Sequence, residues 1–366
     1  MATVDRKSPP TLGAGPDAAP TRQGAGRWRW LAAAAAAGVV LLVLPRLMPG
    51  TYQLHLLNMA GIYVVVVLGL NFIFGWAGQS SLGHAAFWGL GAYASALLTT
   101  RLGWPFAGGL VGAIVLTGLF GVVVGIPTLR LRGHYLAMAT VGVAEIVRLV
   151  LVNWEPVTGG ALGVKNIPAA SFGPLVIRTE LEFYYLILAC ALITLLAAWQ
   201  LQRSTFGRIL QAIRDSEVAA EVMGVDAPRY KVLAFALSAV YAGIGGSLYA
   251  HLSGYISPDT YGFDQTVVFV TMLVLGGAGS LAGCVLGAVL LTFLPEWLRV
   301  LKDYYMVIYG VSVLLLMVFL PGGIVGLLRR AISRQPSAIS HQPSAISSPL
   351  AESKAGDAAP GQVDRR

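Results

Sequence analysis

The side chains that could carry out chemistry in this chain are few and scattered. There are five histidines and two cysteines; none are spaced like metal ligands, and Cys190 and Cys284 lie far apart within apolar runs. A loop that binds nucleotide phosphates needs a lysine directly after a glycine, and no lysine here follows one. No serine, histidine and carboxylate share catalytic spacing within one segment. The sequence therefore predicts a protein that is not an enzyme and uses no metal or cofactor.

The longest hydrophilic stretch between the apolar runs is residues 203–231. It predicts two short helices, with Asp215 as the N-cap of the second and Gly224 just past its C-terminus. Glu217 suits the positive end of that helix, and Glu217, Ala220 and Gly224 share one face of mostly small residues. A small face flanked by charge fits a groove on a partner protein. A solvated connector explains the same pattern equally well.

Two glycine-rich runs interrupt the apolar stretches, GWAGQSSLG at 75–83 and GGAGSLAG at 276–283. Backbone that leaves helical geometry at membrane depth must line protein or a water-filled cavity, so such breaks often border a translocation path. For any one polar residue near them, capping an interrupted helix is the simpler explanation. The neutral side chains that could contact a zwitterion in transit are Asn71, Gln79, Ser80, Ser81 and His84.

Glu145 and Arg148 are ionisable residues within one predicted span. At 1.5 Å per residue Glu145 lies roughly 15 Å deep, and Arg148 follows one turn later, at the spacing of an ion pair. An unpaired charge at that depth costs roughly 3 kcal/mol on insertion scales. The sequence therefore predicts a structural ion pair or, alternatively, a Glu145 that lines a polar cavity on the translocation path.

The elements that must position these residues are strongly apolar. Hydrophobic side chains make up 56% of the 366 residues and charged ones 11%, whereas a soluble domain carries roughly 25% charged residues. This balance excludes a cytosolic enzyme, a secreted disulfide module and a nucleic-acid binder. It predicts an all-α, polytopic integral membrane protein with broken or re-entrant glycine-rich segments. About ten transmembrane helices are expected, near residues 30–48, 54–74, 84–100, 106–128, 135–154, 183–201, 232–252, 264–282, 283–301 and 304–327.

Composition also predicts three regions along the chain. Residues 1–27 and 331–366 are rich in Pro, Ala, Gly and Ser and are expected to be disordered. Residues 28–330 form the transmembrane domain that carries the 203–231 loop. With ten crossings, 18 of the 25 Lys and Arg residues fall on the side of the N-terminus, which predicts that both termini are cytoplasmic. A removable signal peptide is the competing explanation of the first span.

The 203–231 segment resembles the cytoplasmic coupling loop of ABC transporter permeases, whose Glu-Ala-Ala…Gly signature docks on an ATPase subunit. Here the signature is Glu-x-Ala-Ala, with Val218 interposed. The run GRILQAIRDSEVAAEVMGV with Lys231 is similar to the branched-chain amino acid permeases, and the LRLRG block at 129–133 is similar to the longer, LivM type. Within residues 50–328, further stretches match this family in order: LNFIFGWAGQSSLGHAAFWGLGAYASALL, LRLRGHYLAMATVGVAEIVRLV, TGGALGVKNIP, LGGAGSLAGCVLGA and LPGGIVGL.

The resemblance implies the membrane-spanning permease of an ATP-driven importer in the inner membrane. Its partners would be two ABC ATPase subunits, a second permease subunit, expected to be a paralogue, and a periplasmic binding protein that delivers branched-chain amino acids. The residues implied to couple to the ATPase are Gly207, Arg208, Arg214, Asp215, Glu217, Ala219, Ala220, Glu221 and Gly224.

Two alternatives stay open at this point. One is an importer of the same class that carries urea, amides or other amino acids. The other is an ion-coupled secondary transporter, in which Glu145 or Asp264 would bind a proton or sodium. In either case the residues expected to line the translocation path are Asn71, Gln79, Ser80, Ser81, His84 and Glu145.

Overall fold

The computed structural model describes residues 41–46, 50–128, 131, 133–172, 175–298, 310, 314 and 323–326. By its internal contacts the chain separates into a unit of residues 1–327 and a unit of residues 328–366, and all described residues belong to the first. The predicted arms 1–27 and 331–366 lie outside the described residues, as do most of the predicted spans 30–48 and 304–327.

Nearly all of the described regular structure is helical. In chain order the α-helices α1 to α11 are Thr51–Asn71, His84–Arg101, Phe106–Thr128, His134–Asn153, Glu155–Thr158, Glu180–Arg203, Thr205–Asp215, Glu217–Val222, Ala227–Ser253, Phe263–Gly276 and Leu281–Leu298. A π-helical turn, Phe72–Trp76, prolongs α1, and 3-10 turns span Gly160–Leu162 and Pro258–Tyr261.

The connection from α5 to α6 contains two short strands, although the described structure is otherwise helical and the all-α prediction is confirmed. They are β1, Ser171–Phe172, and β2, Leu175–Val176, and they pair antiparallel. The connection turns back on itself here, and the paired strands satisfy backbone groups that no helix provides for. Each strand has only two residues, so the pair does not change the fold class.

Six of the described helices are long and apolar enough to cross a membrane. Helix α2 covers the predicted span 84–100 but is not among the six, and the predicted span 264–282 begins as α10, which has 14 residues. A multi-pass helical protein is thus confirmed, while the number ten stays a prediction. The six are Thr51–Trp76, Phe106–Pro127, His134–Asn153, Glu180–Arg203, Ala227–Ser253 and Leu281–Leu298.

The centre of the bundle lies where α9 packs against α1, α2 and α3. The helices approach closely, because a Cβ added at Gly91 or Gly246 would collide with the backbone of the facing helix. Aromatic rings fill the adjacent space: the ring centroid of Trp88 lies 4.8 Å from that of Tyr261 and 5.4 Å from that of Phe269. As a result α1 and α9 are the most enclosed of the six candidate spans.

Both glycine-rich runs interrupt helices, as their composition predicts. After the π-helical turn the chain takes a positive φ of 66° at Gly78, and α2 begins only at His84. The second interruption lies between α10 and α11, where Gly277 and Gly279 have φ values of 116° and 89°. Residues with a Cβ rarely adopt these angles. Glycine is therefore required at the points where the two helices stop.

Candidate functional site

The hydrophilic segment 203–231 folds into α7, α8 and the first turn of α9. The prediction that Asp215 caps α8 is wrong, because Asp215 is the last residue of α7. Ser216 caps α8 instead, and its hydroxyl accepts the amide of Ala219 at 3.3 Å. Its φ of −161° and ψ of 108° give the extended backbone that an N-cap requires. Gly224 follows the end of α8 with a φ of 86°, as predicted.

The start of α7 forms a tight corner with α6. A Cβ at Gly207 would lie 2.6 Å from the carbonyl oxygen of Gln202, so only glycine fits this corner without a shift. The Arg208 guanidinium stays within its own segment, donating to the Arg203 carbonyl at 2.9 Å and to the Thr205 hydroxyl at 3.1 Å. In the described structure, Gly207 and Arg208 therefore stabilise the corner between α6 and α7.

The face that α8 presents to solvent differs from the predicted one. Ala220 is buried, at 5% exposure, and packs with Ile213 and Ala227. The turn at Ser216 folds α8 back onto α7 and the start of α9, which directs Ala220 inward. The outward face carries large apolar side chains beside the exposed Glu221: Val218, Val222 and Met223, the residue after α8, are exposed to 64%, 81% and 82%.

A charged contact holds α8 against α9. The Lys231 ammonium lies 2.6 Å from the Glu217 carboxylate, and Lys231 itself is 6% exposed. Because a buried ammonium is costly without a partner, the pair fixes where α8 can sit. Ala219 and Glu221 point to solvent from the same short helix.

Arg214 connects the loop to the interrupted helices of the bundle. Its Nη1 donates to the carbonyl oxygen of Gly75 at 2.6 Å. A Cβ at Gly78 would lie 2.9 Å from Arg214 Cγ, and one at Gly279 would lie 3.1 Å from its Nη1. The guanidinium therefore touches both glycine-rich breaks, which are about 200 residues apart in sequence.

The two breaks are also joined directly. The backbone N–H of Gly279 donates to Asn71 Oδ1 at 2.8 Å. A Cβ at Gly75 would lie 2.6 Å from the Gly279 nitrogen, so neither backbone leaves room for a side chain there. Arg214, the end of α1 and the turn between α10 and α11 thus form one connected cluster.

A cavity of about 320 Å³ opens between this cluster and the start of α4. Its walls come from three parts of the chain: the first break at 77–80, the start of α4 with the residues before it, and the loop residues 213–217 with Lys231. The second part contributes Leu131, Gly133 and Leu136. The volume is at the lower end of the range for small-molecule sites. Both charged and neutral polar groups face it, including Arg214, Asp215, Gln79 and Ser80.

The structure separates the residues predicted for the translocation path. His84 is fully buried and bonded within the core: its Nε2 lies 3.0 Å from the Val66 carbonyl and its Nδ1 3.4 Å from the Ser238 hydroxyl. Gln79 and Ser80 line the cavity. Three buried atoms around the first break have no hydrogen-bond partner among the described residues: Asn71 Nδ2, Gln79 Oε1 and Ser81 Oγ.

Glu145 lies elsewhere, on the outward face of α4. Its carboxylate accepts from the Arg148 guanidinium at 2.7 Å, so the predicted ion pair is present. Arg148 Nη1 also lies 3.6 Å from Asp259 Oδ1 in the 3-10 turn before α10. About 14 Å of α4 separates Glu145 from the cavity-lining Leu136, so Glu145 and the glycine-rich breaks do not form one site.

Sequence reasoning missed two threonines that support the first break. The Leu82 amide donates to Thr140 Oγ1 at 2.9 Å, and the Ala85 amide donates to Thr266 Oγ1 at 3.1 Å. These hydroxyls satisfy amides that the interrupted helix leaves open. A threonine within an apolar helix is too common to signal such a role. Among the described residues no group of three His, Cys, Asp or Glu side chains could hold a metal ion.

A bundle of apolar helices, interrupted at polar glycine-rich breaks and tied there to an external helical loop, defines a polytopic membrane transport subunit. The chain belongs to the family of the branched-chain amino acid transport system / permease component, which it matches over residues 52–320. It is the permease subunit of an ABC importer, a multi-pass protein of the inner membrane and not an enzyme.

Similar proteins include LivM and LivH, two permeases that are named after the same transport system. The chain is 34% identical over 319 residues to the high-affinity branched-chain amino acid transport system permease protein LivM of Escherichia coli K12, covering 80% of this chain and 75% of that protein. It is 34% identical over 295 residues to LivM of Salmonella typhimurium, covering 74% and 69%. It is 26% identical over 284 residues to LivH of Escherichia coli K12, covering 72% and 91%. No solved structure matches the chain.

Proposed function

We propose that this permease passes branched-chain amino acids from a periplasmic binding protein into the cytoplasm. The names of the LivM relatives support this substrate class. Two ATPase subunits drive the complex, and a paralogous permease, of the kind that the LivH relative represents, completes it. The transmembrane domain, 28–330, crosses the membrane about ten times with re-entrant glycine-rich segments, and both termini lie in the cytoplasm.

The observation that carries the ATPase part of this proposal is the apolar outward face of α8. Val218, Val222 and Met223 are exposed on a loop that is otherwise hydrophilic, and such a patch is typical of a protein docking site. The loop is held to the bundle by Lys231 and Arg214. A displacement of α8 by a docked ATPase would therefore reach both glycine-rich breaks, as in other interface-driven switches.

The cavity beside the first break would form the cytoplasmic end of the translocation path. Gln79 and Ser80 face it, and Asn71 and Ser81, which carry buried polar atoms without a partner in the described structure, are close to them in sequence. These groups can bond to water or to a passing zwitterion during transport. In this proposal His84 supports the path from the core, and Glu145 lies apart from the path, on the outward face of α4.

The test replaces Val222 with glutamate in the complete transporter, reconstituted in liposomes with ATP inside. A charge in the docking face should reduce co-purification of the ATPase, and leucine uptake should fall about tenfold, the equivalent of ~1.4 kcal/mol in binding. Val176→Glu is the matched control, because Val176 is also an exposed valine but lies on β2, outside the loop. ATPase binding and uptake at the parent level in Val222→Glu would refute the docking assignment.

The same liposomes separate the importer from an ion-coupled carrier. Uptake that persists with an ionophore while ATP is kept constant is expected here. Uptake that stops with the ionophore, at unchanged ATP, would contradict the whole proposal.

A further inference from the structure

Three candidate spans have outward faces that are mostly exposed, and these faces differ in chemistry. The outward faces of α3 and of the middle of α6 are wholly apolar, as expected for contact with lipid. The outward face of α4 carries the Glu145–Arg148 ion pair instead. Exposed apolar residues of the first two faces are Val111, Val115, Leu119 and Val123 on α3, and Leu192, Ile193 and Leu196 on α6.

The ion pair lies well inside the span. Glu145 is roughly 17 Å along the axis from the first residue of α4 and roughly 12 Å from its last. It is nevertheless 47% exposed, and Arg148 is 31% exposed. Ionisable residues at such depth face protein or a water-filled cavity, because the hydrocarbon phase disfavours them. The outward face of α4 is therefore covered by something other than lipid.

The neighbouring 3-10 turn, Pro258–Tyr261, leads to the same conclusion independently. Its Tyr261 is buried against Trp88, which is about 20 Å along α2 from the end of that helix at Arg101. Non-helical backbone at this depth does not face lipid. Asp259, in the same turn, is 81% exposed and reaches Arg148. The turn and α4 thus bring three charged side chains together at membrane depth, on a surface that also carries exposed apolar residues such as Ile146 and Leu149.

Gly142, on the outward face of α4, leaves space for the close approach of a neighbouring helix. Gly142 lies three residues before Glu145 on the exposed side of α4, and a Cβ added there would meet no atom within 4 Å. Small residues on an exposed helix face are the positions at which transmembrane helices of two subunits approach. On the outward stripes of α3 and of the middle of α6, bulky apolar residues predominate.

We propose that the outward face of α4, together with the Pro258–Tyr261 turn, is the surface on which the paralogous permease subunit packs. The inference rests on the proposed function, which supplies a second permease. Two carboxylates and one guanidinium give this surface a net charge of −1, so the partner is expected to present a basic or hydrogen-bond-donating group opposite Asp259. The faces of α3 and α6 remain in contact with lipid.

The experiment attaches a benzophenone maleimide to single cysteines in a chain whose Cys190 and Cys284 are replaced by alanine. Ile146→Cys and Leu149→Cys probe the face of α4, and Val115→Cys and Ile193→Cys are matched controls on α3 and α6. All four positions are exposed apolar residues. Each variant is co-expressed with the partner permease, ATPases and binding protein, illuminated in native membranes, and analysed by mass.

Cross-links from α4 to the partner permease, with lipid adducts alone from the controls, are the expected result. The two α4 positions make the test independent of whether either single variant folds. The surface assignment is overturned by lipid adducts alone from both α4 positions, by partner cross-links from Val115 or Ile193, or by products that join two copies of this chain. Leucine uptake by the cysteine-free parent is measured in parallel, so that a wrong surface is distinguished from a wrong function.

Discussion

At the scale of single residues, Arg214 joins the loop to the interrupted helices of the bundle. Its guanidinium bonds to the Gly75 carbonyl and lies against Gly279. A hydrogen bond from a charged group is worth about 1.5–3 kcal/mol. We expect Arg214→Gln to lower leucine uptake about tenfold, the equivalent of ~1.4 kcal/mol, while the complex still hydrolyses ATP. Uptake and ATP hydrolysis are measured on the same liposomes.

Two further variants separate this role from a general loss of charge or fold. Arg229→Gln is the control, because the exposed Arg229 guanidinium pairs with Asp226 three residues before it in the described structure, and it should retain most uptake. Arg214→Lys should recover part of the activity, since one ammonium can replace a single donor but not the flat guanidinium. Normal uptake by Arg214→Gln would contradict the link.

The sequence could predict contacts between residues that are close along the chain, but not contacts between residues that are far apart. Glu145 and Arg148 are three positions apart on one helix, so their pairing follows from helical periodicity alone. Arg214 and its acceptor Gly75 are 139 residues apart, and no local pattern connects them. The sequence therefore indicated which residues are polar within the apolar chain but not the partner of Arg214.

At the scale of elements, helix existence was predictable and helix orientation was not. The apolar runs predicted six of the spans to within a few residues, and the glycines predicted both breaks. For α8 the spacing of Glu217, Ala220 and Gly224 suggested an exposed small face, yet Ala220 is buried. A six-residue helix has two faces, and which one is covered depends on how Ser216 turns the chain, which composition does not reveal.

The burial of Ala220 leads to a prediction about the stability of the loop. Ala220→Leu adds volume against Ile213 and Ala227, and overpacking of this kind costs about 1–3 kcal/mol. Amides of α8 should then exchange with deuterium about tenfold faster or more, measured by hydrogen-exchange mass spectrometry on the purified permease. Ala219→Leu is the control one residue away, because Ala219 is exposed. Equal exchange rates in the two variants would show that Ala220 is not enclosed.

At the scale of the whole molecule, the arrangement explains how one chain serves two kinds of contact. α1 and α9 form an enclosed centre, and the helices around them have either apolar or charged outward faces. In the proposed mechanism the enclosed centre would keep the two breaks in register while the loop moves. Motion delivered at α8 would then be directed to the breaks, where the backbone is least constrained by helical hydrogen bonds.

The orientation of the chain in the membrane gives a prediction for the whole molecule. Leu162 and Met223 are exposed, at 70% and 82%, and α6 is the one candidate span between them in the described structure. Because the 203–231 loop is rich in Lys and Arg, it should face the cytoplasm. A membrane-impermeant maleimide should therefore label Leu162→Cys in intact spheroplasts and label Met223→Cys only after permeabilisation.

The parent chain, with Cys190 and the buried Cys284 inside spans, is the control and should stay unlabelled. Labelling of Met223→Cys from outside would reverse the orientation and, with it, exclude a cytoplasmic ATPase as the partner of α8.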